Sequence, residues 1–320
     1  MSGGAGRDYI DGQAGDDVLR GGSGNDTVYG MSGNDQISGG DGQDYLEGAT
    51  GDDSIDGGAG NDMISGGRGD DVIRAGAGND VVYGGAGTDT VAGGSGNDTA
   101  YVQSGDQVDT EKTVTVEIRD VGNTIRVEGS PEFVERVQAD LDMLRSSPRG
   151  QLMLAQMDRV HNETGAIAKD WPVLGGLAYQ GDTIRIVETT DANGYASDDQ
   201  GVLDQVFNHN NYKIQYDPRF QTIADGPPVT VLYHEMAHVY DFSHDTSADG
   251  SYDNPANPDQ MYDSHGHLVG VPNDEREAVG LPIDPDGDGH YEIDPDHPFD
   301  YTENGLRDEL GAPQRPKYGF

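Results

Sequence analysis

A nine-residue pattern constrains the first third of this 320-residue chain. It repeats eleven times without a break from Gly3 to Tyr101, beginning GGAGRDYID, GQAGDDVLR and GGSGNDTVY. Aspartate is sixth in every copy and an aliphatic residue is eighth. The glycines allow tight turns at positive φ, whereas the last three residues of a copy, such as Thr27–Tyr29, predict a short strand with its middle side chain directed inward. Successive copies therefore predict a parallel β-roll, with two copies per coil and one aliphatic row per sheet.

The pattern resembles the calcium-binding nonapeptide of RTX proteins. Carboxylate and backbone oxygens from neighbouring turns would supply the hard ligands that Ca²⁺ prefers. The expected calcium ligands are the sixth-position aspartates, namely Asp8, Asp17, Asp26, Asp35, Asp44, Asp53, Asp62, Asp71, Asp80, Asp89 and Asp98. Residues 1–110 hold 20 acidic and 4 basic residues. We therefore expect the segment to be disordered without cations and to fold in millimolar calcium, which couples its folding to export.

Composition limits the function classes. The formal net charge of −40 argues against binding to nucleic acid or to an anionic membrane, because both call for basic patches. Cysteine is absent, so disulfides and cysteine-ligated metals are excluded, and no apolar run is long enough to span a bilayer. The N-terminus, MSGGAGRDYI, lacks the features of a secretory signal peptide. We expect a secreted or host-delivered protein that is exported by another route.

The composition changes after residues 104–106, and we predict an RTX β-roll over 1–105, connecting strands over 106–129 and a second domain over 130–320. Residues 113–128 alternate like a strand pair with a Gly-Asn turn. Ser130 and Pro131 have the N-cap and first-position chemistry of a helix start. A second helix is predicted over 148–161, and strands over 183–188 and 212–216. The second domain is therefore expected to be α+β.

The segment VTVLYHEMAHVYDF contains the motif His234-Glu235-x-x-His238. On a helix, positions i and i+4 share a face, so both imidazoles can bind one zinc ion. Glu235 lies on the neighbouring side, where it can take a proton from a water bound to that ion. The upstream segment YKIQY, residues 212–216, resembles the edge strand on which zinc peptidases align their substrates.

Two residues compete as the third zinc ligand. Glu275 lies in NDEREAVG, where Glu275-x-x-Ala278 resembles the second zinc helix of gluzincins. His244 is the alternative, because HEMAHVYDFSH nearly matches the metzincin pattern, and Met261 would then be the Met-turn residue. Asp241 stands where that pattern requires a glycine.

The last part of the chain resembles the NleD/HopH-type zinc metallopeptidases, which are effectors that bacteria deliver into host cells. The resemblance rests on VLYHEMAHVYDF, NDEREAVGLPID, YTENGLRDELG and RPKY in this order, within residues 130–320. It implies a zincin-like endopeptidase that acts on host proteins and favours Glu275 as the third ligand. Arg315 and Tyr318 resemble the R-x-x-Y pair of clostridial neurotoxin proteases, which implies stabilisation of the oxyanion.

Two further interpretations stay open. The loop DPDGDGHYEID, residues 284–294, has aspartates at EF-hand positions, but Pro295 stands where a bidentate glutamate is required. For the whole protein, the alternative to a zinc endopeptidase is a non-enzymatic calcium-binding surface or adhesive protein with an inactive peptidase-like domain. Zinc content separates the two hypotheses.

Overall fold

A computed structural model describes residues 1–167, 183–189, 195–198, 211–216, 228–244, 251–252, 261–262, 268–269, 271–272 and 302–312. The chain divides into two compact units, Met1–Val121 with Gly129–Gln151, and Gly122–Glu128 with Leu152–Phe320. These compact units differ from the domains predicted from the sequence, whose boundaries at residues 105 and 130 stay predictions.

The first unit contains a parallel β-roll made of two seven-stranded sheets, as the repeat predicts. The odd sheet consists of β1 (Ser2–Ala5), β3 (Val18–Ser23), β5 (Gln36–Asp41), β7 (Ser54–Ala59), β9 (Val72–Ala77), β11 (Thr90–Ser95) and β13 (Gln107–Asp109). The even sheet consists of β2 (Tyr9–Asp11), β4 (Thr27–Ser32), β6 (Tyr45–Thr50), β8 (Met63–Arg68), β10 (Val81–Ala86), β12 (Thr99–Val102) and β14 (Lys112–Thr115). Within each sheet successive strands pair in parallel, and from β3 to β11 paired residues such as Val18 and Gln36 lie two copies apart. One coil is therefore two nonapeptides.

The core of the roll consists of the two predicted aliphatic rows, one from each sheet. The eighth-position side chains are buried from Ile10 to Ala100, and Val102 and Val108 extend the rows past the last copy. Because so few side chains of each coil point inward, the rows bury little apolar area for the number of residues that must be ordered. The roll therefore depends on interactions other than its core.

Two expectations about the roll and its end were wrong. The strands from β3 to β11 are six residues long rather than three, because each continues through the first two residues of the following copy, as Thr27–Ser32 does. Residues 113–128 do not form a strand pair. Strand β14 adds in parallel to β12 of the roll, whereas β15 (Ile125–Glu128) pairs in parallel with β16 (Thr183–Glu188). Local alternation identified the two strands, but their partners lie elsewhere in the chain.

Helix α1 (Pro131–Ser146) belongs to the first unit and covers the even sheet, where it contacts β4, β6, β8 and β10. Its start is as predicted, because Ser130 is the N-cap and its hydroxyl accepts a hydrogen bond from the Phe133 amide. The middle strands of the even sheet are consequently buried on both faces, whereas the odd sheet is exposed outside. Helix α2 follows at Pro148–Ile167.

The second unit contains a four-stranded sheet in the order β15, β16, β18 (Asn211–Tyr216) and β17 (Tyr195–Asp198). Strand β17 is antiparallel to β18, and the other pairings are parallel. The predicted strands at 183–188 and 212–216 are confirmed. The expectation that YKIQY forms an edge strand is wrong, because β18 lies between β16 and β17. Of the strands that the structure describes, β17 is the edge strand beside it.

Two helices of the second unit pack on each other, α3 (Pro228–His244) and α4 (Glu303–Glu309), and α3 also contacts β17 and β18. Two short antiparallel pairs complete the described part of this unit, β19 (Ser251–Tyr252) with β22 (Val271–Pro272) and β20 (Met261–Tyr262) with β21 (Leu268–Val269). None of the described helices is long and apolar enough to cross a membrane.

Candidate functional site

The two histidines of the HExxH segment converge within helix α3. Their Nε2 atoms lie 3.2 Å apart, and the two rings are nearly perpendicular at 87°. Two nitrogens bound to one tetrahedral zinc ion at the usual Zn–N distance would be about 3.3 Å apart. The observed separation between the Nε2 atoms of His234 and His238 therefore fits a shared zinc ion.

The segment places this histidine pair inside the protein. Residues 228–240 of α3 are all buried, and apolar side chains such as Leu232 and Met236 lie on all sides of the helix, as is typical of a helix enclosed by the protein. The motif residues His234, Glu235 and His238 are only 3–5% exposed. Placing such polar side chains in a buried helix is costly unless they are paired or bind a metal, so the arrangement indicates a functional site rather than a structural helix.

Glu303, at the first position of helix α4, faces the back of His234. Its Oε2 atom lies 3.2 Å from His234 Nδ1, and its Oε1 atom accepts a hydrogen bond of 2.6 Å from Arg307 Nε. Glu303 and Arg307 are 1% and 0% exposed. A carboxylate beside Nδ1 favours the tautomer with the proton on Nδ1, which leaves the Nε2 lone pair available to a metal.

The nine-residue spacing of the aspartates, with two copies per coil, places them in two rows along the roll. The even row is Asp8, Asp26, Asp44, Asp62, Asp80 and Asp98, and the odd row is Asp17, Asp35, Asp53, Asp71 and Asp89. Each aspartate directly precedes a strand. Its backbone amide donates to the Oδ1 atom of the next aspartate in the row, as Asp26 does to Asp44 at 2.8 Å and Asp53 to Asp71 at 2.8 Å. The rows are therefore hydrogen-bonded from coil to coil.

The second carboxylate oxygen has no hydrogen-bond partner in ten of these aspartates, all except Asp17, although it is buried. At Gly48 a Cβ atom would lie 2.3 Å from Asp53 Oδ2 and 2.5 Å from the Gly66 carbonyl oxygen, so the two oxygens face one small volume. The same convergence recurs at Gly21, Gly30, Gly39, Gly57 and Gly66. A buried carboxylate oxygen beside a carbonyl oxygen is the donor set that Ca²⁺ prefers, and the residues present therefore fit calcium.

Burial also perturbs the titration of the rows. Desolvation raises the pKa of Asp44, Asp71 and Asp80 to about 6, of Asp62 and Asp89 to about 7, and of Asp53 to about 8. Neighbouring row aspartates add to the increase through like-charge repulsion, which a bound cation would relieve.

Known protein families match both the N-terminal and the C-terminal part of the chain. A family model described as Peptidase_M91, effector protein, matches residues 122–318. The chain belongs to this family. The model for the RTX calcium-binding nonapeptide repeat matches residues 2–37, 38–73 and 65–100. The protein is therefore an M91 effector with an RTX calcium-binding β-roll at its N-terminal side. No curated protein matches the chain.

Several predicted residues of the M91 region lie outside the described part of the chain. These are Glu275, Arg315 and Tyr318, together with the loop 284–294. His244 is the last residue of α3, and the helix continues through Asp241, where a metzincin would turn. Within the described residues, no group of three or more histidine, aspartate or glutamate side chains forms a metal site. A zinc ion would need a donor from the rest of the chain, and calcium would need carbonyl oxygens.

Four residues at these sites were not predicted from the sequence. Glu303 and Arg307 lie in the segment YTENGLRDELG, which carried the family resemblance, but no role was assigned to them. The only local signal is an acid at the first helical position with arginine four residues later. Asp106 and Glu111 were missed because they follow the last copy out of register. Their carboxylates accept the amides of Asp89 and Asp98 at 3.0 Å in each case.

Proposed function

We propose that this M91 effector is a zinc-dependent endopeptidase that cleaves proteins of a eukaryotic host, and that calcium folds its β-roll during or after export. The observation that carries the proposal is the 3.2 Å approach of the Nε2 atoms of His234 and His238 in a buried helix, with Glu303 behind His234. The membership in a peptidase family supports the same conclusion.

The zinc ligands in this proposal are His234, His238 and Glu275. The continuation of α3 to His244 favours Glu275 over His244. His244 lies six positions after His238 on the helix, which corresponds to about 9 Å along the axis and to a different face of the helix. An α3 that is helical throughout would therefore keep His244 away from an ion held by the other two histidines.

Each side chain has a distinct task in the reaction. Zinc, when bound, supplies Lewis-acid chemistry that activates water and polarises the scissile carbonyl. Glu235 takes a proton from the attacking water and passes it to the leaving amine. The residue is 5% exposed, which keeps its carboxylate away from bulk solvent. Tyr318 and Arg315 are proposed to donate to the oxyanion.

Glu303 is proposed to position His234 rather than to react. The Glu303 carboxylate would accept a hydrogen bond from the protonated Nδ1, which lies 3.2 Å from Oε2, and Arg307 fixes the carboxylate through the 2.6 Å bond from Nε. Both groups lie in the interior, where such charge-assisted contacts are strong. The imidazole is then held in the orientation and tautomer that zinc binding requires.

The substrate is proposed to bind along strand β17. Among the described strands this four-residue strand is at the edge of the sheet; it is antiparallel to β18 and contacts helix α3, which carries the histidines. An extended peptide that pairs with a sheet edge presents its backbone regularly, and alternate side chains provide specificity.

The β-roll is proposed to hold calcium through its two aspartate rows. The buried Oδ2 atoms and the carbonyl oxygens beside them are the proposed donors. Without calcium these carboxylates repel one another, so the roll would form only where calcium is abundant. Secretion or delivery of the protein fits this dependence.

The test is proteome-wide mapping of new protein N-termini in a eukaryotic lysate that contains zinc and calcium. The wild type is compared with Glu235→Gln, which removes the base but leaves both histidines, and zinc content is measured for each. We expect about one zinc per chain in both proteins and new termini only with the wild type.

Other outcomes reject parts of the proposal. Zinc bound without new termini in lysates from several hosts would oppose the endopeptidase. Equal cleavage by Glu235→Gln would remove the base role of Glu235. Absence of zinc together with normal calcium binding would favour the calcium-binding surface protein instead.

A further inference from the structure

We propose that Asp89 and Asp106 form a further calcium site at the C-terminal end of the odd row, beyond the last nonapeptide. The inference rests on calcium binding by the roll, and it is independent of the peptidase chemistry. Asp106 lies outside the eleven copies and outside the residues that match the RTX repeat.

The regular coils define what such a site contains. At Gly66 a Cβ atom would lie 2.4 Å from Asp71 Oδ2 and 2.5 Å from the carbonyl oxygen of Gly84, one coil later. Each site therefore combines a carboxylate oxygen from one coil with an oxygen from the next coil. The last coil of the array has no further nonapeptide to supply that second oxygen.

At the end of the odd row, Asp106 provides the second oxygen. A Cβ atom at Gly84 would lie 2.7 Å from Asp89 Oδ2 and 3.5 Å from Asp106 Oδ2. Two carboxylate oxygens thus face the volume that a carboxylate and a carbonyl oxygen face in earlier coils. The residue one coil after Gly84 is Val102, and its carbonyl accepts the amide of Val116 at 2.7 Å.

The burial of Asp89 is independent evidence for a bound cation beside its Oδ2 atom. It is 0% exposed, and its Oδ2 atom is buried with no hydrogen-bond partner. A buried carboxylate oxygen without a partner is unfavourable unless a cation or a donor satisfies it. Its Oδ1 atom is already engaged, because it accepts the amide of Asp71 at 3.0 Å.

Asp106 is held in position by two backbone amides. Its Oδ1 atom accepts from Asp89 at 3.0 Å, which repeats the coil-to-coil bond of the row, and its Oδ2 atom accepts from Gln103 at 2.6 Å. It also directly precedes strand β13, as each row aspartate precedes its strand. Asp89 and Asp106 are 17 residues apart in sequence, whereas successive aspartates of a row are 18 apart. Asp106 therefore falls outside the nine-residue register of the repeat.

The experiment counts calcium ions per full-length chain by native mass spectrometry, with free calcium set just above saturation of the wild type. The variants are Asp106→Asn, Asp89→Asn and the double variant, because asparagine keeps the Oδ1 acceptor of the coil-to-coil hydrogen bond and replaces Oδ2, the proposed calcium donor, by an amide nitrogen. At Asp106 this exchange also removes the acceptor of the Gln103 amide. Asp109→Asn is the matched control, since Asp109 is exposed on the same strand β13.

We expect Asp106→Asn to bind one calcium fewer than the wild type and Asp109→Asn to bind the same number. If the two aspartates share one ion, the double variant loses no more calcium than Asp89→Asn alone. An unchanged count in Asp106→Asn overturns the site, and so does a loss of several ions. A wild type without any calcium would instead reject calcium binding by the roll itself.

Discussion

Tyr29, on the outer face of strand β4, donates a hydrogen bond of 3.3 Å to Asp140 of helix α1. Helix α1 lies within the region matched by the M91 family, whereas β4 lies within the RTX repeat. The helix therefore packs on a surface that exists only when the roll is folded. Calcium-dependent folding of the roll and the docking of α1 should be thermodynamically coupled.

Arg136 provides a direct test of this docking. It forms an ion pair with Asp11 and stacks over Tyr9 and Tyr29, with its guanidinium carbon 5.2 Å and 5.5 Å from the ring centroids. Arg136→Ala leaves a half-buried carboxylate without its cation and should lower the free energy of unfolding by about 2–3 kcal/mol. Urea unfolding in calcium, followed by circular dichroism, measures the change. Arg20→Ala, on the exposed odd sheet, should cost less than about 0.5 kcal/mol; equal effects would refute the docking role.

The metal-free roll should become less stable as the pH rises. The pKa values of the six most affected row aspartates, between about 6 and about 8 in the fold, exceed the ordinary value of 3.8. Between pH 3.8 and these raised pKa values the folded state therefore binds more protons than the unfolded state. The stability that results is lost as the pH rises through the folded pKa values.

Circular dichroism of chelator-treated, metal-free protein at about pH 5 and about pH 8 checks this expectation. We expect more β-signal at the lower pH, where the row carboxylates are protonated and need no cation. Urea midpoints in saturating calcium should show the reverse order, because calcium binds the deprotonated carboxylates. A metal-free β-signal that grows with pH would show that the row carboxylates are already ionised in the fold.

Gly66→Ala should weaken calcium binding by steric exclusion. The added methyl group would lie 2.4 Å from Asp71 Oδ2 and 2.5 Å from the Gly84 carbonyl oxygen, so the two oxygens must move apart. Overpacking of this kind costs about 1–3 kcal/mol, which corresponds to an increase of about 5- to 150-fold in the calcium dissociation constant of that site and so raises the calcium concentration required for folding. Gly105→Ala is the control, because its Cβ would contact nothing within 4 Å. That variant reports only the backbone strain at its φ of +129°, about 1 kcal/mol. A smaller shift in Gly66→Ala than in Gly105→Ala would contradict the oxygen cage.

Glu303→Gln should weaken zinc binding without removing a zinc ligand. The amide no longer carries the charge that favours the Nδ1 proton of His234, and Arg307 loses its buried counter-charge. Loss of such a supporting group typically lowers metal affinity by about 10- to 100-fold. Competition with a zinc chelator measures the affinity, and circular dichroism verifies the fold. Asp308→Asn, an exposed charge on the same helix, should keep the wild-type affinity. Unchanged zinc affinity in Glu303→Gln would leave Glu303 with a purely structural role.

The sequence by itself determined the features that depend on short spacings. A period of nine residues places the eighth-position side chain of each copy in the interior and each sixth-position aspartate just before a strand, so the coil follows directly from the repeat. The spacing of four residues likewise places His234 and His238 on one helical face. In both cases backbone geometry alone fixes the neighbours.

Only the tertiary structure decided contacts between segments that no period relates. Asp106 reaches Asp89 after a turn of different length, and Glu303 reaches His234 from a separate helix. Strand β18 is an inner strand because β17 pairs with its other side. Strand β14 pairs with β12 of the roll and not with β15. Alternation and propensity specify that a strand or a helix forms, but the partner of each element depends on the packing of the whole unit.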